Sequence, residues 1–392
     1  MKIGFDISQT GSLKAGCGYF ADSLIRALAD LDSENEYILY PHFGTTFWDP
    51  NGEKNTIKIN KPNMERKRIG RDIETAFAFW ENIGVDSEER LGTPDVIHAN
   101  NFYCPSGLKR ARVVYTLYDL NFLDNPDLTT EENRSNCFGG VFTAAVSADF
   151  IVAISQYSLK RFLEIYPHYP KERTGVVHLG SRFCSTDQMN ILGDTVSGLE
   201  SEKFWLSVCT LEPRKNLRRL LRAFREYLNL TADPHPLVLA GGKGWMEGDL
   251  ENFIGELGLN DHVRLTGYVS DEKLCWLYQN CFSFIYPSLY EGFGLPVLEA
   301  MGFGAAVITS NTTSLPEIAG NAAHYVDPLS EKSMIEGLLR IEKEKDYRKK
   351  LGEKAQLRAK QFSFEKTAYA VLRIYRQVLR LAKFAPKNCR KR

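Results

Sequence analysis

Two glutamates, a pair of adjacent cations and several glycines carry the chemistry offered by this 392-residue sequence. Glu291 and Glu299 stand in the segment Phe284-Ile285-Tyr286-Pro287-Ser288-Leu289-Tyr290-Glu291-Gly292-Phe293-Gly294-Leu295-Pro296-Val297-Leu298-Glu299-Ala300. An apolar strand ends at Pro287 and a loop with two glycines follows. Pro296 suits the first turn of a helix, where a missing N–H costs nothing. The N–H groups of Phe293, Gly294 and Leu295 would point out of that helix start, where unpaired donors and the helix dipole attract phosphate. Gly292 and Gly294 would let a ligand approach the backbone closely. Glu291 in the loop and Glu299 about one turn into the helix can accept hydrogen bonds from sugar or ribose hydroxyls. Spacing alone is no signal, because Glu81–Glu89, Glu164–Glu172 and Glu336–Glu344 repeat it without the strand, the glycines or the helix start.

The cations are Arg214 and Lys215, in Val208-Cys209-Thr210-Leu211-Glu212-Pro213-Arg214-Lys215-Asn216-Leu217. This segment follows a strand and precedes a helix. A departing diphosphate gains negative charge, and two fixed cations can stabilise it without a metal. The structural alternative is a basic helix start capped by Asn216, although adjacent cations at a positive helix end are unfavourable with no anion nearby. Gly16-Cys17-Gly18-Tyr19 forms a weaker glycine loop, with neither a full G-x-G-x-x-G nor a Walker lysine. Gly241-Gly242-Lys243-Gly244-Trp245 and Gly267-Tyr268-Val269 fit a nucleotide pocket or a tight turn equally well. Asp30-Leu31-Asp32 is the one Asp-x-Asp. It falls at the end of a predicted helix rather than at a strand end, so both residues read as turn residues and no metal site is expected.

Short apolar runs alternating with amphipathic stretches position these residues, which is the pattern of parallel α/β layers. Strands are expected at 2–7, 37–40, 56–59, 95–99, 113–117, 150–154 and 175–178. After a Ser-, Asp-, Gly- and Thr-rich stretch at 181–201, read as a linker, they resume at 204–208, 237–240, 263–265, 282–286, 307–309 and 324–326. Helices are expected at 19–29, 156–165, 217–227, 271–279 and 295–301, with a tail from Glu331 to Lys383 helical throughout. Two open parallel sheets of this kind would bind a ligand beyond the carboxyl ends of their strands.

Composition is that of a globular protein, 43% hydrophobic and 25% charged. Lys plus Arg equals Asp plus Glu at 49 each, which argues against a chain that coats nucleic acid. No apolar run suits a signal peptide or a bilayer span. The eight cysteines form no C-x-x-C pair and read as reduced, buried thiols in the cytosol. Arg66, Lys67, Arg68 and Arg71 precede Ile73, Phe77 and Trp80 at near-helical spacing. This segment fits anionic lipid or an ordinary helix with one buried face. The short basic tail 387–392 reads as a frayed end.

With these segments assembled, the chain resembles the family 4 retaining glycosyltransferases of GT-B fold, and within them the bacterial Glu-Pro-Arg-Lys-Asn branch of mannosyl- and related transferases. The resemblance rests on Glu212–Asn216, Glu291–Glu299 and Ser310-Asn311-Thr312-Thr313-Ser314-Leu315-Pro316-Glu317. It implies an α/β protein of two Rossmann-like domains facing across a cleft. The acceptor domain would span 1–182 with the return of 364–392, where the last helix crosses back, and the nucleotide-sugar domain 203–363. By resemblance, Glu291 contacts the transferred sugar, Glu299 the ribose, and Arg214 and Lys215 the diphosphate, while Gly16 and Gly18 approach the donor from the first domain. Family members often carry a His where this chain has Tyr118. Tyr118 is therefore placed with Glu291, Arg214 and Lys215 among the catalytic candidates, as a hydrogen-bond donor but a poor base at neutral pH, so front-face displacement is expected, with the leaving phosphate taking the acceptor proton. His98 is either an acceptor-site residue or a satisfied strand-end histidine. The implied reaction is hexose transfer, with GDP-mannose the first donor choice and no cofactor, onto a glycan or lipid-linked glycan of surface polysaccharide. The expected location is the cytoplasm, with peripheral contact to the inner membrane face left open. The alternatives are a sugar-nucleotide epimerase or glycan phosphorylase on the same fold, and an idle glycan-binding subunit.

Overall fold

Near-continuous runs of apolar residues form strands buried on both faces, and such strands assemble in parallel with helices covering the sheet. The computed structural model describes residues 1–11, 14, 16–45, 55–84, 86–183, 196, 198–245 and 249–384. The chain divides into two compact units. The first contains Met1–Leu123, Glu131–Gly180 and the last helix, Phe364–Arg380. The second contains Asp124–Thr130 and Ser181–Ser363. Residues 184–195 and 197 of the stretch read as a linker lie outside the described residues, as does the 387–392 tail.

In the first unit, β1 (Lys2–Asp6), β2 (Glu36–Tyr40), β3 (Met64–Arg66), β4 (Val96–Ala99), β5 (Arg112–Leu117), β6 (Phe150–Ala153) and β7 (Thr174–Val176) form one parallel sheet. Its strand order is β3-β2-β1-β4-β5-β6-β7. In the second, β8 (Trp205–Val208), β9 (Leu237–Ala240), β10 (Val263–Gly267), β11 (Ser283–Tyr286), β12 (Val307–Ser310) and β13 (His324–Val326) pair in parallel in the order β10-β9-β8-β11-β12-β13. Each sheet reverses its order once, between β1 and β4 and between β8 and β11. Loops leaving such a switch point diverge, and ligands of open α/β sheets bind in the opening.

Two expectations fail. No strand forms at 56–59. Thr56 and Ile57 are buried there instead, and the Ile57 N–H donates to Thr10 Oγ1 at 2.9 Å. The edge strand comes later, as the polar Met64–Arg66, too short to leave a hydrophobic pattern. The tail is helical but in three pieces, Glu331–Lys343, Lys345–Ala359 and Phe364–Arg380; the start of the last helix at Phe364 matches expectation, whereas the break at Glu344 does not. The last of these helices packs in the first unit, where Tyr375 is fully buried and Thr367 Oγ1 donates to the His178 carbonyl at 2.8 Å.

The basic stretch at 66–71 leads into the helix Ile73–Glu81, whose Phe79 and Trp80 are buried, and Trp80 Nε1 donates to the His42 carbonyl at 3.2 Å. Trp80 is thus used by the core, while Ile73 and Phe77 are half-buried. Among the described residues no helix is long and apolar enough to cross a membrane.

Candidate active site

The opening between β8 and β11 is lined by the loops that sequence reasoning singled out. After β8 the chain makes a single tight turn, Pro213–Lys215, closed by Asn216 in the left-handed conformation at φ 62°. Asn216 does not cap the next helix with its side chain. Its Nδ2 donates instead to the carbonyls of Pro287 (3.0 Å) and Pro328 (2.7 Å), and the Leu289 N–H donates to the Arg214 carbonyl at 2.9 Å. The turn is thereby fastened to the loop after β11.

Glu291 is the centre of the site. Lys215 Nζ donates to Oε1 at 2.6 Å and Arg214 Nη1 to Oε2 at 2.9 Å. The hydroxyls of Tyr286 (2.9 Å) and Ser288 (2.7 Å) also lie on Oε1. Burial alone would raise the pKa of this carboxyl. The charges of Arg214 and Lys215, with the hydrogen bonds from Lys215 and Ser288, outweigh burial and hold it at about 2. Glu212, also buried, takes Arg214 Nη2 at 2.6 Å and lies 3.6 Å from Lys215 Nζ. Two carboxylates therefore balance two cations, and the anion needed by the adjacent cations is partly built into the protein. Glu212 was visible only as a letter of the motif. Its role needed the folded loop.

The backbone of Glu291 is clamped from both sides. Its N–H donates to Thr313 Oγ1 at 3.2 Å and its carbonyl accepts from Ser314 Oγ at 2.8 Å. Ser310 Oγ donates to the Ser288 carbonyl at 2.6 Å. The segment 310–317, noted earlier for its resemblance alone, is thus the buttress of the Glu291 loop. Thr313 adopts φ 58° to deliver its hydroxyl.

Gly292, Phe293 and Gly294 then lead into the helix Leu295–Gly302, with Pro296 in its first turn. Gly294 has φ 97°, and a Cβ there would stand 2.6 Å from Leu315 Cδ2. Only glycine combines that backbone with that packing. Pro296 has no N–H, and Val297 and Leu298 donate to the Gly294 carbonyl at 3.0 and 3.2 Å, so the anion-attracting end is carried by Leu295 and the turn before it. Glu299, farther along, shares no partner with Glu291. Both of its oxygens face Arg182, at 2.6 and 3.1 Å, and the Tyr278 hydroxyl donates to Oε2 at 3.0 Å.

The remaining glycines follow the plainer explanation. A Cβ on Gly241 would meet the Cys209 carbonyl at 1.8 Å, and one on Gly244 the Leu211 carbonyl at 2.4 Å, so close packing against the β8 loop requires both. Gly267 has φ 68° and open space around it, and Tyr268 beside it is 68% exposed.

In the first unit, Gly16 opens the helix Gly16–Leu31 with nothing near its would-be Cβ, whereas a Cβ on Gly18 would meet the Gln9 carbonyl at 2.1 Å. Gly18 is required by that packing with or without a ligand. Tyr118 donates its hydroxyl to the Asn100 carbonyl at 2.7 Å, and burial raises its pKa well above the usual tyrosine value. It is a fixed donor and cannot serve as a base. His98 is wholly buried between Tyr375 and Thr116, which makes it the satisfied histidine rather than an acceptor-site residue. Asp32 is spent on its turn, accepting from the N–H of Glu34 and Asn35, from Asn35 Nδ2 and from Tyr37. The described cysteines are unpaired. Cys209 and Cys281 are buried beside the ends of β8 and β11.

Residues 195–358 match the family described as glycosyl transferases group 1. The chain is 31% identical over 287 residues to O-antigen chain mannosyltransferase B of Escherichia coli, covering 72% of this chain and 74% of that protein. Sucrose-phosphate synthase of Thermosynechococcus elongatus superposes with a TM-score of 0.73 at 19% identity, over 96% of this chain and 99% of that one. Anabaena HepE, solved in complex with UDP and glucose, gives 0.67 at 18% identity, over 95% and 98%. The buttressed glutamate, the paired cations and these likenesses lead to one conclusion: the chain belongs to the group 1 glycosyl transferases and is a glycosyltransferase.

Proposed function

We propose that this enzyme moves a hexose, mannose by preference, from a nucleotide diphosphate donor to a glycan or lipid-linked glycan acceptor of surface polysaccharide, with retention at the anomeric carbon. The observation that carries the proposal is the Arg214–Lys215–Glu291 cluster beside the helix start at Leu295. Mannose as the sugar leans on the named activity of the E. coli relative, and GDP-mannose is the donor choice that the family resemblance suggests.

In this reading Glu291 fixes a hydroxyl of the transferred sugar. Arg214, Lys215 and the N–H groups of Gly292, Phe293, Gly294 and Leu295 receive the diphosphate as its charge grows. Glu299 accepts from the ribose. The leaving phosphate takes the acceptor proton, so the protein supplies position and charge rather than a base. Stabilisation of the leaving group is assigned to side-chain cations, with no cofactor in the step.

A donor panel tests this. Purified protein is mixed with GDP-mannose, UDP-glucose and ADP-glucose, and slow donor hydrolysis is followed for wild type and Lys215→Ala. GDP-mannose should turn over fastest, and Lys215→Ala should cut the rate by about a hundredfold or more. Equal rates in the two proteins would remove Lys215 from the diphosphate site.

A further inference from the structure

The last helix, Phe364–Arg380, has two unlike faces. Its inner face, with Val371, Ile374, Tyr375 and Val378, is buried in the first unit. On the outer face Tyr369, Arg373, Arg376 and Arg380 follow at i, i+4, i+7 and i+11, the spacing of a single stripe. All four are exposed, Tyr369 by 53%, and Leu379 flanks the stripe at 39%. Glu365 opens the same face one turn earlier, at the positive helix end where a carboxylate is favoured.

Other solvated faces in this chain balance their cations. Gln156–Ile165 pairs Lys160 and Arg161 with Glu164. Leu217–Asn229 pairs Arg218, Arg222 and Arg225 with Asp249, Glu331 and Glu226. Glu331–Lys343 pairs Lys332 with Glu336 and Arg340 with Glu344. Arg373, Arg376 and Arg380 form no ion pair among the described residues. The imbalance reaches the sequence as a whole. From Phe364 to Arg392 there are nine Lys and Arg against the single acid Glu365, which leaves 40 cations and 48 acids before it.

The stripe is held firmly. Buried Asp149 accepts from Lys383 Nζ at 2.8 Å and from the Phe384 N–H at 2.6 Å, and Arg173 Nη2 donates to the Ala382 carbonyl at 2.7 Å. Lys383 is thus spent on fastening the helix end. Lys387, Arg390, Lys391 and Arg392 follow it in the sequence.

We propose that the outer face of the last helix seats the first unit on an anionic lipid surface. Guanidiniums in line meet a plane of lipid phosphates through paired donors. Tyr369 and Leu379 add the partly apolar contact that a membrane interface rewards. A nucleic acid fits less well, because the rest of the chain carries an acidic excess that would repel it. The proposal goes beyond the reaction and does not depend on which donor is used.

The test is flotation of the full-length protein with vesicles of phosphatidylcholine alone, or with about one-third phosphatidylglycerol, at low and high salt. Wild type should bind the anionic vesicles about tenfold or more better than the neutral ones, and release as salt screens the charges. Arg373→Gln, Arg376→Gln and Arg380→Gln combined should lower the partition about a hundredfold at low salt. The matching triple change to Lys keeps the charge and should stay within about fivefold of wild type. Tyr369→Ala should cost about threefold. Thermal melts and donor hydrolysis without vesicles should match wild type in all of them, since these side chains lie outside the core and the donor loops. Equal binding to neutral and anionic vesicles, or undiminished binding by the triple Gln variant, would overturn the proposal. So would a loss seen only when the cations of 387–392 are replaced, or tighter binding to duplex DNA than to anionic vesicles at the same salt.

Discussion

At the end of β4, His98 is buried with a neutral ring, and in the loop after β11, Glu291 is buried with a full charge. Both lie at the carboxyl side of a parallel strand next to a switch in sheet order. His98 belongs to a hydrogen-bond chain that can be read atom by atom. Thr116 Oγ1 donates to Asn100 Oδ1, so it accepts from Nε2–H of His98, and Nδ1 accepts from the Tyr375 hydroxyl at 2.6 Å. Neither ring nitrogen of His98 meets a cation or a carboxylate, and burial pushes the His98 pKa down to about 3. Around Glu291, burial works equally hard against charge, but two cations reverse it. A neutral chain joins elements and has nothing to give a ligand. A charged cluster held at a helix start has fields that a diphosphate can use.

The comparison breaks most readily at the level of rate. Glu291→Gln should lower transfer by about a hundred- to a thousandfold in a product-formation assay, whereas His98→Gln should stay within about threefold of wild type. A comparable loss in both would mean that the first cluster serves the reaction as well. Urea unfolding gives the converse. His98→Gln leaves the Tyr375 hydroxyl and Thr116 without matched partners and should cost about 2 kcal/mol.

Acid sharpens the contrast. Each group has a folded pKa below its unfolded value, so in each case the unfolded chain binds the extra proton and stability falls as the pH falls. For His98 the window runs from 6.5 down to about 3, and for Glu291 from 4.5 down to about 2. Stability measured against pH should therefore drop less for His98→Gln than for wild type between pH 6 and pH 4, by about 1.4 kcal/mol per pH unit. Glu291→Gln should differ in slope from wild type only below about pH 4.5. Identical slopes for wild type and His98→Gln would mean that the ring is not held neutral. The smallest effect is expected at Tyr118. Tyr118→Phe removes one hydrogen bond to the Asn100 carbonyl, worth about 1 kcal/mol of stability, and should leave kcat within about twofold.

Local signals made much of this legible. Apolar runs located the strands of the second sheet, and Pro296 with Gly294 marked the helix start beside Glu291. Edge strand β3 was missed because Met64-Glu65-Arg66 has no apolar alternation, and its identity comes from pairing with β2. The break at Glu344 carries no glycine or proline to announce it, whereas the helix start at Phe364 follows Ser363, a residue type that favours helix starts. Arg182 was beyond reach for a different reason. Its partner lies 117 positions away, and its neighbours in sequence read as linker. Glu212 and Tyr286 stood inside quoted motifs, but which oxygen meets which nitrogen is set by the crossing of two loops, and no spacing rule encodes that.

The double clamp on the Glu291 peptide by Thr313 and Ser314 also bears on how this enzyme could be redesigned. A library aimed at new donor sugars gains little from randomising 313–314, since replacing Thr313 or Ser314 would release the anchor and leave the Glu291 carboxylate loosely placed for all sugars alike. Gly242, where an added methyl meets no atom within 4 Å, and the exposed Tyr268 are positions where diversity leaves the anchor in place.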